Sequence, residues 1–193
     1  MKIKQLLLLV LLAGNAAIAQ SIAVNTNDPA TGTRVIMTKN HRGNTLEVED
    51  TVAKSGLAFF SAGYQSGTAK GKKVETYFID LDMFHNNNKL GCINQSANNV
   101  TILLKDGSKI ECFQISDTDC NPESFKAAFA LGPKGSSMEQ MEANFKKLLT
   151  TEISKITVKT TEGSLEYKIK PKSSEYIKSH FALVEKTLSG STK

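Results

Sequence analysis

The chain has 193 residues, with 24 Lys and Arg against 19 Asp and Glu, 40% hydrophobic residues and no tryptophan. That length suits one domain, large enough to bury about 70% of its unfolded surface. The basic excess is scattered, apart from KGKK at 70–73, and lacks the gathered basic face with interleaved aromatics of a nucleic-acid footprint.

The chain opens MKIKQLLLLVLLAGNAAIAQ. Lys2 and Lys4 make a positive start, Gln5 to Ile18 is almost wholly apolar, and Ala17-Ile18-Ala19 has the small-x-small pattern of a cleavage site. This reads as a secretory signal peptide over 1–19. Its apolar run, about 14 residues, falls short of the roughly 20 that a spanning helix needs. The polar residues that follow hold no second span, and no cysteine follows the cut for a lipid anchor. The expected location is periplasmic or secreted, after cleavage near Ala19, and the short leader has a bacterial character.

Residues 20–32 are polar and read as a loose segment ahead of one domain over 33–188, with 189–193 as a disordered tail. TRVIMTK, 33–39, reads as a strand, and 45–52 is a candidate partner for it. LAFFSAGYQ, 57–65, and VETYFIDLDMF, 74–84, are β-rich runs joined by a Gly- and Lys-containing loop, hence a hairpin. In the second run Tyr77, Ile79 and Leu81 share one face, and Thr76, Phe78 and Asp80 the other.

NNVTILLKDGSKIECFQI turns at Asp106-Gly107. A slip of one residue flips every side chain, so alternation tests the register. A three-residue loop with a glycine bulge pairs Leu104 with Ser108, Ile102 with Ile110 and Val100 with Cys112, making one face apolar. SFKAAFAL, 124–131, alternates as a strand through Phe125, Ala127, Phe129 and Leu131, which is the reading preferred. Phe125 and Phe129 also fit a helix that NPES could cap with Pro122 in its first turn. SSMEQMEANFKKLL forms a helix capped by Ser136 or Ser137, with Met138, Met141, Phe145, Leu148 and Leu149 in one stripe. ITVKTTEGSLEYKI, 156–169, is a second hairpin. A Glu162-Gly163 loop would pair Ile156 with Ile169, Val158 with Tyr167 and Lys159 with Glu166. SSEYIKSHFALVEKTL, 173–188, is a second helix capped by Ser173 or Ser174, with Ile177, Phe181, Val184 and Leu188 inward and Gly190 beyond its end. The expected class is α+β: a mostly antiparallel sheet built from hairpins, with two amphipathic helices packed on one face.

The order of LLKDGSKIE, an aromatic-alanine strand, a helix, ISKITVKTTEGSLEYKI and a last helix resembles uncharacterised exported proteins of Bacteroidetes over residues 74–186. The likeness rests on the two hairpin turns and the ISKI lead-in to the second. It implies location and fold, and no activity.

Three cysteines, Cys92, Cys112 and Cys120, follow the leader. Any one pair leaves a third thiol over. Extending the bulge register brings Cys92 opposite Cys120, and export to an oxidising compartment suits a bridge. All-free thiols are the alternative. DTDCNPE, 117–123, alternates oxygen donors as calcium sites do. An EF-hand loop, however, needs glycine at its sixth position and a glutamate at its twelfth. Here those are Pro122 and Ala128, so an Asx-rich turn is the reading. Asp80 and Asp82 share a strand face with His85 just beyond, a candidate metal site. Phe59, Phe60, Tyr77 and Phe78 are candidates to line an apolar cavity between sheet and helices.

Nucleophilic catalysis requires a serine or cysteine beside an oriented histidine. His41, His85 and His180 are the only histidines, and no nucleophile elbow, phosphate loop or dinucleotide fingerprint accompanies them. No catalytic residue and no cofactor are therefore assigned. The expected function is an exported envelope protein that binds or scaffolds an envelope partner without catalysis. The alternatives are a carrier of small apolar ligands or, third, a metal-dependent hydrolase using Asp80, Asp82 and His85.

Overall fold

The structure is a computed structural model, and it describes residues 20–39, 48–49, 57–84, 92–93, 97–117 and 124–190. Ten strands and two helices follow in chain order: β1 (Ile22–Asp28), β2 (Thr33–Thr38), β3 (Val48–Glu49), β4 (Leu57–Ala69), β5 (Lys72–Phe84), β6 (Asn98–Leu104), β7 (Lys109–Gln114), β8 (Ser124–Ala130), α1 (Met138–Thr150), β9 (Ile153–Thr160), β10 (Gly163–Ile169) and α2 (Pro171–Gly190). The strands form one sheet in the order β1-β2-β4-β5-β8-β7-β6-β9-β10-β3. Every pairing is antiparallel. The class is α+β, a mostly antiparallel sheet with two helices.

The β4–β5 hairpin is the spine. Its strands are 13 residues each and run to a two-residue turn at Lys70-Gly71, both with positive φ (52° and 75°). That geometry matches the right-handed strand twist. The stretch SGTAKGKK, expected as loop, is therefore almost all strand. Tyr64 pairs with Tyr77, Ala62 with Ile79 and Phe60 with Leu81, and of these all but the partly buried Tyr77 are buried. The β6–β7 hairpin adopts the bulge register expected from alternation: Ile102 opposes Ile110 and Val100 opposes Cys112, with Gly107 at φ 84°.

Four further expectations are corrected. Residues 22–28, expected to be loose, form β1 on β2, with Val24 opposite Met37. Asp28 closes the turn by accepting from the Ala30 N–H at 2.9 Å and the Thr31 hydroxyl at 2.7 Å. Of the candidate partner at 45–52 the described residues are 48–49, β3, which pairs with β10 and not with β2. In the second hairpin Tyr167 opposes Ile156 and Leu165 opposes Val158, two residues away from the expected register. Lys155, not Lys159, then meets Glu166 at 2.7 Å. A shift of two keeps every side chain on its face, so alternation had no power to separate the two registers. Last, α2 begins at Pro171 and runs through Gly190, into the expected tail. Proline suits a first helical position because its missing N–H has no acceptor there. Ser173 and Ser174, expected as caps, are buried within the helix. The rest of the expected tail, 191–193, lies outside the described residues, as do 1–19.

The α1 cap is as expected: the Ser137 hydroxyl accepts from the Gln140 N–H at 3.2 Å. Met141, Phe145 and Leu148 are its buried stripe. Ile177, Phe181 and Val184 are buried on α2. The helices touch each other, α1 touches β5, and α2 touches β2 and β4. One apolar cluster joins both helices to β2, β4, β5, β8 and the β6–β7 and β9–β10 hairpins. No described helix is long and apolar enough to cross a membrane.

Candidate functional site

Three places on this framework carry side chains with chemical potential. The first lies on the sheet face opposite the core. Phe60, Ala62, Leu81 and Ile79 point into the core, so Ser61, Asp80 and Asp82 must point the other way. Ser61 is the direct cross-strand partner of Asp80. On the other side Ala128 opposes Asp80 and Lys126 opposes Asp82. Asp80 is 6% exposed and Ser61 wholly buried. The Lys126 ammonium stands 3.7 Å from an Asp80 carboxylate oxygen, beyond hydrogen-bond reach. Burial pushes the Asp80 carboxyl above its ordinary value of 3.8, with Lys126 opposing and Asp82 adding to the rise. Burial raises the Asp82 carboxyl as well, again against Lys126. Among the described residues, no three His, Cys, Asp or Glu side chains gather as a metal cluster. Asp80 and Asp82 share the face expected of them, and His85 lies outside the described residues. Ser61 and Lys126 were not singled out from the sequence, because they reach Asp80 only through the pairing of three strands.

The second place is the set of aromatics expected to line a cavity. The sheet divides them. Phe60 and Tyr77 sit on the core face, where Phe60 meets Phe181 edge-on at 5.7 Å and Tyr77 meets Phe145 at 4.6 Å between ring centres. Phe59 and Phe78 sit on the opposite face. Phe59 packs edge-on against Phe84 at 6.0 Å, and the Phe78 ring lies over Gly63, its cross-strand partner. The four therefore do not enclose one space. On the core side, Phe60, Phe181, Phe145 and Tyr77 form a continuous file, with the Phe145 and Phe181 rings 5.7 Å apart.

The third is an open cleft of about 360 Å³ where α1 and α2 meet β5. Tyr77, Phe145 and Leu188 line it, and Glu142, Lys146, Glu185 and Lys186 stand around them. Glu142 and Lys146 pair at 2.6 Å. Desolvation, with a smaller push from the Glu142 charge, raises the Tyr77 hydroxyl to about 12. It stays protonated and able to donate across the neutral range.

The remaining singled-out residues are structural or lie elsewhere. His180, on α2, is wholly buried, and its Nδ1 is 2.6 Å from the Thr38 hydroxyl. That hydroxyl also accepts from the Ala62 N–H at 2.9 Å. Cys112 is a buried free thiol whose ionisation burial suppresses. Cys92 is disulfide-bonded. Cys120 lies outside the described residues, together with all of DTDCNPE except Asp117, which is exposed. No family model, no curated protein and no solved structure matches the chain.

Proposed function

We propose that this chain is an exported bacterial envelope protein whose domain binds or scaffolds a partner without catalysis, with both helices laid on the one apolar face of its sheet. The observation that carries this reading is the aromatic file from Phe60 through Phe181 and Phe145 to Tyr77. It occupies the sheet–helix interface with interlocking rings, which is how a rigid support is built and where a carrier would keep its cavity. The file ends at the open cleft between α1 and α2. There Tyr77 offers a hydroxyl donor beside apolar rings and charges of both signs, a surface suited to a polypeptide partner.

Export rests on the charged start, apolar run and Ala17-Ile18-Ala19 site of the leader. The resemblance to exported proteins of Bacteroidetes points the same way. Within this reading the partner of Cys92 is Cys120. A bridge closing about 29 residues adds roughly 3–4 kcal/mol in the chain-entropy model.

Mass spectrometry of the protein isolated from an envelope fraction tests the proposal. The expected intact mass starts at Gln20, takes up alkylating reagent at one thiol after denaturation without reductant, and under native conditions carries no apolar passenger. A leader still attached in the cytoplasm would remove the export reading. A stoichiometric apolar molecule that survives purification would replace the scaffold with the carrier.

A further inference from the structure

We infer that the outer face of the sheet binds one hard divalent cation, Mg²⁺ or Ca²⁺, between the carboxylates of Asp80 and Asp82 and the hydroxyl of Ser61. This does not rest on the binding-domain reading. Its starting point is an imbalance of buried polar groups. The Ser61 side chain is fully buried and its hydroxyl has no hydrogen-bond partner among the described residues. Such a group costs about 1–3 kcal/mol when left unsatisfied. Directly across the strand pair is Asp80, itself 6% exposed. Its one ion-pair partner among the described residues, Lys126, remains 3.7 Å away, with 62% of its side chain in solvent. A buried carboxylate held by one distant, solvated ammonium is poorly compensated.

Geometry and chemistry then favour a cation. Directly opposed residues in an antiparallel pair have Cβ atoms about 4.5–5.5 Å apart. An ion with oxygen ligands at about 2.0–2.6 Å fits between side chains at that spacing. Asp82, two residues along, faces the same way and brings a second carboxylate. Ala128, on the far side of Asp80, has no polar side-chain atom to compete for its carboxylate. Magnesium needs only one or two carboxylates because it keeps several of its waters, and serine hydroxyls are ordinary ligands for it. All three donors are oxygens, which selects hard ions over zinc or copper. Without the cation, Lys126 serves as the counter-charge. Its exposure lets it swing outward when the ion enters.

The test is calorimetric titration of the chelator-treated protein with MgCl₂ and, separately, CaCl₂ at fixed ionic strength, alongside thermal unfolding. One saturable site is expected with at least one of the two ions, together with a rise in melting temperature. Asp82→Asn should weaken binding about tenfold or more through the lost charge. Ser61→Ala should weaken it severalfold while leaving the ion-free fold at least as stable, since the hydroxyl it removes is unsatisfied. Lys126→Met should bind more tightly than the parent. Failure of both ions to saturate the folded parent would overturn the inference. So would equal affinity in parent, Asp82→Asn and Ser61→Ala, because the ion would then sit elsewhere.

Discussion

Thr38 shows how one hydroxyl joins a helix to the sheet. The β2–β4 ladder ends where Met37 opposes Gly63. One residue on, the Thr38 hydroxyl replaces the backbone by accepting from the Ala62 N–H, and on its other side it meets Nδ1 of the buried His180. Thr38→Val keeps the shape and deletes this junction, stranding a buried amide and a ring nitrogen. We expect a loss of about 2 kcal/mol, read as a lower denaturation midpoint with an unchanged denaturant slope. Asp80 acts in the opposite direction. Its carboxyl is raised above 3.8, chiefly by burial. A group raised in the folded state contributes stability below its unfolded pKa, and that contribution is lost as pH climbs through the folded value. Asp80 therefore weighs against the ion-free fold at neutral pH. Asp80→Asn should be more stable than the parent at pH 7, with the gap closing as pH falls towards about 4. Unfolding free energies across that range, measured with chelator present, give the sign.

At the level of elements, side-chain alternation decides which face is buried, and turn chemistry decides how far a strand runs. Gly107 pins the β6–β7 register through a φ of 84°. The second hairpin turns at Thr161-Glu162, with Gly163 already paired to Thr160. Glycine there marks the first strand residue and not the turn itself, which is why the expected register was two residues out. Gly63 illustrates a different need. A Cβ built on it would fall onto the Phe78 ring, so the close approach of β4 and β5 on the outer face requires glycine. Gly63→Ala should cost about 1–3 kcal/mol through overpacking. In a Phe78→Ala background most of that cost should vanish. A double-mutant cycle with no coupling would show that the ring is not what limits the site.

For the whole molecule, the sheet and both helices share one core, with Phe181 at its crossing point. Its ring meets Phe60 from the sheet and Phe145 from α1, and it is fully buried. Phe181→Ala should cost about 3–5 kcal/mol. Because the core is continuous, sheet and helix signals should still be lost together, at one lower midpoint. Separate transitions followed by far-ultraviolet dichroism and aromatic fluorescence would show that α2 docks on a sheet stable without it.

Much of this architecture is local information. The period-two runs of β4, β5 and β6, the Asp106-Gly107 turn and the Ser137 cap are written in neighbouring residues, because backbone sterics and the burial of alternate side chains act over a few positions. β1 left only a faint signal, since its seven residues are mostly exposed and only Ile22 and Val24 are large and apolar. What the chain could not reveal by itself is which strands lie side by side. β5 takes β8 as its neighbour, and β10 takes β3. The β5–β8 pairing brings Lys126 to Asp80, and the docking of α2 on the sheet joins Thr38 to His180; the division of Phe59 from Phe60 and of Tyr77 from Phe78, by contrast, follows from strand alternation alone. Such contacts join residues from 46 positions apart, Lys126 to Asp80, to 142, Thr38 to His180. They exist only because the closing chain buries one face of a ten-stranded sheet, an energy no single segment supplies.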